Sequence, residues 1–180
     1  PSKAQTQSAT VHATTIIRAT EGYTKSLHGE KRSIAPVYSL MVATEPLSAN
    51  MWAEIGLGER ETFSDYRNLV IYGQRTADNR IAFGGRGAPY HFNSKISPAQ
   101  DTNESVHTEL RATLTQMFPV LKSATFTNAW GGPLGIARDW WASCNYDPTT
   151  GIGSSGGYVG DGLGTAHLGG KTLAHLITKT

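Results

Sequence analysis

The fold is decided by two runs, Leu69-Val-Ile-Tyr-Gly73 and Arg80-Ile-Ala-Phe83, which are separated by Thr76-Ala-Asp-Asn79. Both runs carry the β-branched and aromatic side chains that strands favour, and the residues between them are those that turns favour. A short polar turn between two such runs is typical of a β-hairpin. The sequence therefore predicts an antiparallel sheet in the middle of the chain.

Further strands are predicted on both sides of this hairpin. On its N-terminal side, β-branched residues favour a strand at 11–20, running into a loop at Glu21, and a second strand at 37–43. On its C-terminal side a strand is expected at 124–130, ended by Gly131-Gly-Pro133.

Two more extended segments are predicted near the C-terminus. They flank the turn sequence Asp147-Pro-Thr-Thr150, with one at 140–146 and the other from Gly151 onward.

Three helices complete the prediction. Ser48 is a capping residue before a short helix that ends at Gly56, with Met51, Trp52 and Ile55 on one side. A longer amphipathic helix starts at Glu104, because apolar residues recur every three or four positions until Pro119 disturbs it. A C-terminal helix follows from a stripe of apolar residues, Leu163, Ala166, Leu173 and Ile177. The element order indicates an α+β fold with a largely antiparallel sheet.

Composition excludes several classes of protein. Of the 180 residues, 38% are apolar and 17% are charged, which argues against disorder, and a net charge of +2 is too small for binding nucleic acid by phosphate neutralisation. No apolar run approaches the roughly 20 residues of a membrane-spanning helix, so no membrane partner is expected. The single cysteine, Cys144, suits a reducing compartment, and we expect a cytoplasmic protein. Because the first methionine is Met41, the chain is expected to be part of something longer.

A glycine-rich segment precedes the C-terminal helix. Its glycines are Gly156, Gly157, Gly160, Gly162 and Gly164. Backbone without Cβ atoms at a helix N-terminus lets several N–H groups approach an anion or the polar edge of a flat ring. The segment is not a dinucleotide fingerprint, because Thr165 stands where the third glycine would be, and it lacks the Gly-Lys-Ser/Thr of a phosphate loop. A tight turn that only packs a strand against a helix remains the alternative.

Two further motifs predict little. Gly153-Ser-Ser-Gly-Gly157 satisfies G-x-S-x-G, with Asp161 and His175 following in the order of a hydrolase triad that would use Ser155. An esterase elbow needs a long parallel α/β sheet, which this chain does not predict. The six histidines form no pair with metal-ligand spacing, so no metal site is expected.

Arginines beside aromatic residues suggest a small-molecule site. Arg86 lies just before Tyr90, and Arg138 just before Trp140. Arginine offers a planar fork for a carboxylate, and aromatic rings line small apolar pockets. The alternative is that the arginines pair with surface acids while the tryptophans fill the core.

Seven motifs occur in order along the chain: Ala19-Thr-Glu-Gly-Tyr-Thr24, Pro36-Val-Tyr-Ser39, Ala43-Thr-Glu-Pro-Leu47, Gly84-Gly-Arg-Gly87, Trp130-Gly-Gly-Pro-Leu-Gly135, Arg138-Asp-Trp140 and Gly156-Gly-Tyr-Val-Gly-Asp-Gly162. Taken together, they resemble the C-terminal half of an FAD-dependent oxidoreductase of the glycine/D-amino acid oxidase (DAO) family. Their order along the chain is more specific than any one of them.

The resemblance implies three segments. Residues 1–35 are a remnant of an FAD-binding domain, 36–128 are a substrate-binding domain, and 129–180 return to the FAD-binding domain. It also implies FAD contacts at Ala19, Thr20, Gly22, Trp130, Gly131, Gly157, Tyr158, Val159, Gly160, Asp161 and Gly162. Substrate contacts are implied at Arg138 and less strongly at Arg86, with Tyr90 and Trp140 as aromatic walls.

The chemistry implied is oxidation of the C–N bond of a small amine or amino acid, with a hydride passing to N5 of FAD. No side chain is nominated as a catalytic base. The N-terminal βαβ unit that holds adenine and pyrophosphate in the family has no counterpart before Val11, so this chain alone is expected to lack FAD and activity. The strand at 11–19 is then expected to have an unpaired edge. The alternative is a stand-alone α+β binding or structural module without a cofactor.

Overall fold

The computed structural model describes residues 2–68, 70–86 and 92–179, and the chain divides into two compact units. The first unit contains residues 1–37 and 134–180, and the second contains residues 38–133.

The elements are numbered in chain order. The strands are β1 (Ser2–Gln5), β2 (Thr10–Ala13), β3 (Ile16–Arg18), β4 (Ala35–Thr44), β5 (Thr62–Phe63), β6 (Ile71–Arg75), β7 (Ile81–Arg86), β8 (Phe126–Ile136), β9 (Ser143–Asp147) and β10 (Ile152–Gly156). The α-helices are α1 (Ala49–Ile55), α2 (Glu104–Met117) and α3 (Gly162–Thr178). Short 3-10 turns lie at Glu21–Ser26, Phe92–Ser94, Pro98–Gln100 and Pro119–Ser123.

The second unit is built on a five-stranded sheet with the order β5-β6-β7-β4-β8. Strands β6 and β7 pair antiparallel, with Ile71 opposite Gly85 and Arg75 opposite Ile81, and β4 continues the antiparallel pattern on the other side of β7. The predicted hairpin and the predicted antiparallel sheet are confirmed. Leu69, at the start of the predicted run, lies outside the described residues.

One side of this sheet forms the core of the second unit. Leu40, Val42, Ile81 and Phe83 are completely buried, together with Leu114 of α2. The amphipathic helix is confirmed, and it ends at Met117 because Pro119 starts a separate 3-10 turn.

Helix α1 forms as its terminal residues predict. The Ser48 hydroxyl accepts a hydrogen bond from the Met51 N–H, which satisfies one of the free donors at the helix start. Gly56 ends the helix with φ = 87°, a left-handed conformation that glycine adopts without strain. Trp52 is buried, and Met51 and Ile55 pack against the core, as predicted.

Strand β8 differs from the prediction. It continues through Gly131-Gly-Pro133 to Ile136, so these residues do not end it. Proline is tolerated because β8 lies at the edge of the sheet, where one row of N–H groups has no ladder partner. Gly131 fits because a Cβ atom there would lie 2.9 Å from Leu40 Cγ and 3.2 Å from the Ser39 carbonyl oxygen.

The first unit contains a three-stranded sheet with the order β3-β10-β9. The predicted turn at 147–150 is confirmed, since β9 and β10 pair antiparallel across it. The predicted single strand at 11–20 is wrong: β2 pairs antiparallel with β1, and β3 pairs in parallel with β10. Residues 11–19 were expected to have an unpaired edge, but this edge is partly paired within the chain. Strand β1 forms hydrogen bonds with β2, and β10 forms them with β3.

Helix α3 packs on β9 and β10 through a side that includes only half of the predicted stripe. Leu173 is buried and Ile177 is partly buried, whereas Leu163 is fully exposed and Ala166 is exposed. Gly169 lies on the packed side instead, where a Cβ atom would lie 2.5 Å from Ser155 Oγ. The close approach of the sheet, rather than apolarity, selects this side of the helix.

Candidate functional site

The glycine loop, residues 157–162, has an unusual backbone. Gly157 (φ = 78°), Val159 (φ = 56°) and Gly160 (φ = 99°) all adopt left-handed conformations. For the β-branched Val159 this is a strained state, which persists only where the surroundings impose it. The loop is therefore held in one shape rather than being a relaxed connection.

The loop leads into the uncapped start of α3. Asp161 occupies the N-cap position, and its side chain makes no capping hydrogen bond. The first N–H groups of the helix, at Gly162, Leu163 and Gly164, have no partner within the helix itself. Leu163 is fully exposed, and nothing would obstruct a Cβ atom at Gly164. These amides are free to approach a polar or anionic group.

Glu21 supports the loop from the other end of the chain. Its Oε1 accepts a hydrogen bond from the Tyr158 N–H at 2.9 Å, and the other carboxylate oxygen occupies the space where a Cβ of residue 135 would be. Gly135 also accepts a hydrogen bond from the Val159 N–H at 3.3 Å. Glu21 lies inside the motif Ala19–Thr24, but sequence reasoning assigned it no role, because its partners are distant in the sequence.

A second anchor joins the loop to β10. The Ser155 and Tyr158 hydroxyls are 2.7 Å apart and hydrogen-bonded. Among the hydrogen bonds of the described residues, none joins Ser155 to Asp161 or His175. The hydrolase interpretation is not supported, because Ser155 lies within a strand, is buried and is bonded to a tyrosine.

A cavity of about 90 Å³ opens beside the start of the loop. Its lining includes Arg18, Ser33, Ser155 and Gly157. Arg18 forms an ion pair with Glu30. The hydrogen bond from Ser33, and then the Arg18 guanidinium, hold the pKa of Glu30 below its usual value. The arginine in this lining is therefore already paired with a carboxylate of the same unit.

The N-terminal residues of the predicted cofactor set lie at the start of the 3-10 turn at 21–26. Ala19 is exposed, whereas Gly22 is buried. The Thr20 hydroxyl bonds to the Thr24 hydroxyl at 2.8 Å, and the Thr20 carbonyl accepts from the Tyr23 N–H. The structure brings this turn to the glycine loop through Glu21.

Trp130 and Gly131 belong to the second unit. The Trp130 side chain is 41% exposed, and its carbonyl oxygen lies 3.2 Å from Nε2 of the buried His107. Gly131 faces the core side of the sheet. Because side chains alternate along a strand, Trp130 points to the opposite side.

That same side of the sheet carries a pair of hydroxyl groups that sequence reasoning missed. Ser39 Oγ and Tyr72 OH are 2.6 Å apart, on the two strands β4 and β6 that lie on either side of β7. The spacing of the two residues in the sequence carries no signal for this contact, which depends on the pairing of β4 and β6 with β7.

The predicted substrate residues are placed unevenly. Arg138 is exposed, and no ion pair of the described residues includes it, so the alternative in which it pairs with a surface acid is not seen. Trp140 is 64% exposed and Trp141 is exposed too, so these tryptophans do not fill the core. The backbone of Arg86 ends β7, but its side chain is not described, and Tyr90 lies outside the described residues.

A literal G-x-G-x-x-G occurs at residues 151–156, which sequence reasoning also missed. It lies in the turn after β9 and in β10, and no helix starts within it. It therefore lacks the strand-to-helix context of a dinucleotide fingerprint.

Comparison with known proteins was decisive for the family. The sequence profile described as "DAO: FAD dependent oxidoreductase" matches residues 2–176. The chain belongs to this family. The DAO chain is 30% identical over 173 residues to the "Probable oxidoreductase OrdL" of Rhizobium meliloti, and 27% identical over 183 residues to its namesake in Haemophilus influenzae. Each alignment includes 96% of this chain but only 37% and 38% of those relatives.

Solved structures show the same fold at low sequence identity. L-proline dehydrogenase from P. horikoshii superposes with a TM-score of 0.75 at 18% identity, over 98% of this chain and 46% of that one. Glycine oxidase from Geobacillus kaustophilus gives a TM-score of 0.71 at 17% identity, over 97% and 44%. The DAO chain thus spans less than half of these structures.

The residues present fit one end of the cofactor that the family name implies. The free amides at the start of α3 and the glycine loop before them suit the polar edge of a flavin ring, whereas residues 151–156 do not suit the pyrophosphate. In the described ranges, no three His, Cys, Asp or Glu side chains are placed to hold a metal ion, and no helix is long and apolar enough to cross a membrane.

Proposed function

We propose that these residues form the substrate-binding part, and a portion of the FAD-binding part, of a flavin-dependent oxidoreductase that oxidises the C–N bond of a small amine or amino acid. The observation that supports this proposal most strongly is the strained glycine loop, which leads into the uncapped start of α3. When bound, FAD supplies the acceptor for a hydride from the carbon next to the amine nitrogen. The chain's own residues bind and orient the reactants.

Each unit has a proposed task. In the first unit, residues 157–162 hold the flavin ring, and the turn at 19–22 supports these residues through the hydrogen bond from the Tyr158 N–H to Glu21. In the second unit, which we propose as the substrate domain, the exposed Trp130 and Tyr72 are proposed to face a substrate, and the buried Ser39 hydroxyl holds the Tyr72 hydroxyl by a hydrogen bond. Arg138 is proposed to bind a carboxylate, and Trp140 to provide an aromatic wall. Cys144 has no disulfide partner, which suits the cytoplasm that we propose as the location.

The first test compares the 180-residue chain with the intact gene product. We expect the chain alone to be colourless after gel filtration with added FAD, because the described residues include no glycine fingerprint that leads from a strand into a helix and could hold the pyrophosphate. We expect the intact product to be yellow and to oxidise at least one member of a panel of amino acids, secondary amines and polyamine conjugates. A colourless, inactive intact product would overturn the proposal and favour a module without a cofactor. If the chain alone retained stoichiometric FAD, the prediction that it binds only the flavin end of the cofactor would be wrong.

Replacement of Arg138 by alanine tests carboxylate binding in the intact enzyme. Loss of a charge-assisted hydrogen bond costs about 1.5–3 kcal/mol. We therefore expect the KM for an amino acid to rise about tenfold to a hundredfold, and the KM for an amine without a carboxylate to stay unchanged. Steady-state kinetics with a matched pair of substrates measure this.

Arg32→Ala is the matched control, because Arg32 is also exposed and takes part in no ion pair recorded for the described residues. It should leave both KM values unchanged. If Arg138→Ala raised both KM values equally, Arg138 would not act on the carboxylate.

A further inference from the structure

Glu21 joins three segments of the first unit that are far apart in sequence. We infer that Glu21 is a positioning residue that keeps the glycine loop, residues 157–162, in the shape that receives the flavin ring. This inference rests on the proposed function. It concerns a side chain that makes its contacts within the protein and needs no contact with the cofactor.

The first step of the argument is the hydrogen bond to the loop. The Tyr158 N–H donates to Glu21 Oε1 at 2.9 Å, which is a charge-assisted bond between a carboxylate and a backbone amide. Tyr158 and Glu21 are both half-buried. Without the carboxylate, the Tyr158 N–H would lose this hydrogen bond. Because the amide is partly shielded from water, leaving it unpaired costs free energy.

The second step is the space that receives the carboxylate. Residue 135 has no Cβ, and a methyl group built there would overlap the second carboxylate oxygen of Glu21 and lie 3.1 Å from its backbone carbonyl carbon. The Val159 N–H donates to the carbonyl of the same residue, Gly135. The end of β8 thus holds Glu21 in place and contacts the loop directly.

The third step is the backbone of Glu21 itself. Its φ of 41° lies in the left-handed region, which a glutamate adopts at a cost. Strain of this kind persists where other contacts over-determine the conformation. Here those contacts are made by the Glu21 carboxylate. The strained turn at Glu21 and the strained glycine loop therefore stabilise each other.

The experiment uses the intact flavoprotein that contains these residues, with the variants Glu21→Ala, Glu21→Gln, Gly135→Ala and the double variant Glu21→Ala/Gly135→Ala. FAD dissociation constants are measured by flavin fluorescence, and the ring environment by visible circular dichroism. Amide exchange at Tyr158 is measured in the protein stripped of FAD, so one readout is independent of the cofactor.

We expect Glu21→Ala to weaken FAD binding about tenfold and to speed exchange at Tyr158 about tenfold. Glu21→Gln keeps an acceptor oxygen, so it should restore affinity to within about threefold of the parent. Gly135→Ala should weaken binding about tenfold in the parent but much less in the Glu21→Ala background, because its methyl group then enters vacated space. Glu109→Ala, on the exposed side of α2, is the control and should change nothing.

The outcomes separate this inference from the function on which it rests. If the parent binds FAD, and Glu21→Ala binds it equally well with an unchanged flavin spectrum, the inference is wrong and the proposed function stands. If the parent binds no FAD, the proposed function fails. In that case unchanged exchange at Tyr158 in Glu21→Ala would also overturn the inference that Glu21 positions the glycine loop. If Glu21→Ala does not fold, the test uses the Gly135→Ala and Glu21→Gln variants instead. The inference is then wrong if both variants bind FAD as tightly as the parent does.

Discussion

Replacement of Phe83 by alanine is expected to lower the free energy of unfolding of the second unit by about 3–5 kcal/mol. Phe83 is completely buried in β7, and its ring stacks on Phe63 with centroids 6.1 Å apart. The substitution removes this contact and leaves a cavity between the sheet and the helices that cover it. Urea unfolding monitored by hydrogen exchange at the amide of the buried Val42 measures the loss of unfolding free energy in the second unit itself.

Phe92→Ala is the matched control for this prediction. Phe92 is 94% exposed, so the same chemical change should alter the free energy of unfolding by no more than about 0.5 kcal/mol. Equal losses in the two variants would show that Phe83 does not occupy the core described above.

Local sequence patterns predicted the elements that depend on neighbouring residues. The hairpin of β6 and β7 was predictable, because its turn residues and its β-branched runs lie within one short stretch. Helix α1 was predictable for the same reason, since Ser48 and Gly56 mark its two ends. The ordered motifs also gave the family.

Contacts between distant residues were not predictable in this way. Glycine and proline at 131–133 predicted a strand end, whereas β8 continues because it is an edge strand beside β4. The packed side of α3 was predicted only in part: Leu173 and Ile177 belong to it, whereas Gly169, which fits by its small size, takes the place expected for Leu163 and Ala166. Glu21 was missed because its partners lie 114 and 137 positions along the chain, at Gly135 and Tyr158.

Replacement of Gly157 by alanine is expected to weaken FAD binding by the intact flavoprotein about five- to thirtyfold. The φ of 78° at Gly157 costs an L-residue about 1–2 kcal/mol, a free energy that corresponds to this range of affinity. The new methyl group would also lie 3.1 Å from both Ala137 Cβ and the Trp141 carbonyl oxygen. The loop must therefore shift at its first residue, and equilibrium titration with FAD measures the result.

Gly170→Ala is the control that separates loop shape from glycine content. Gly170 lies in α3, has no atom within 4 Å of an added Cβ, and has no positive φ, so alanine should stabilise the helix by about 1 kcal/mol. Its FAD affinity should equal that of the parent. Because a tight turn that merely joins β10 to α3 would also be strained by Gly157→Ala, loss of stability alone does not distinguish the two interpretations. A weaker FAD complex at a temperature where both apoproteins stay folded does, since only a cofactor loop links the backbone of Gly157 to flavin affinity.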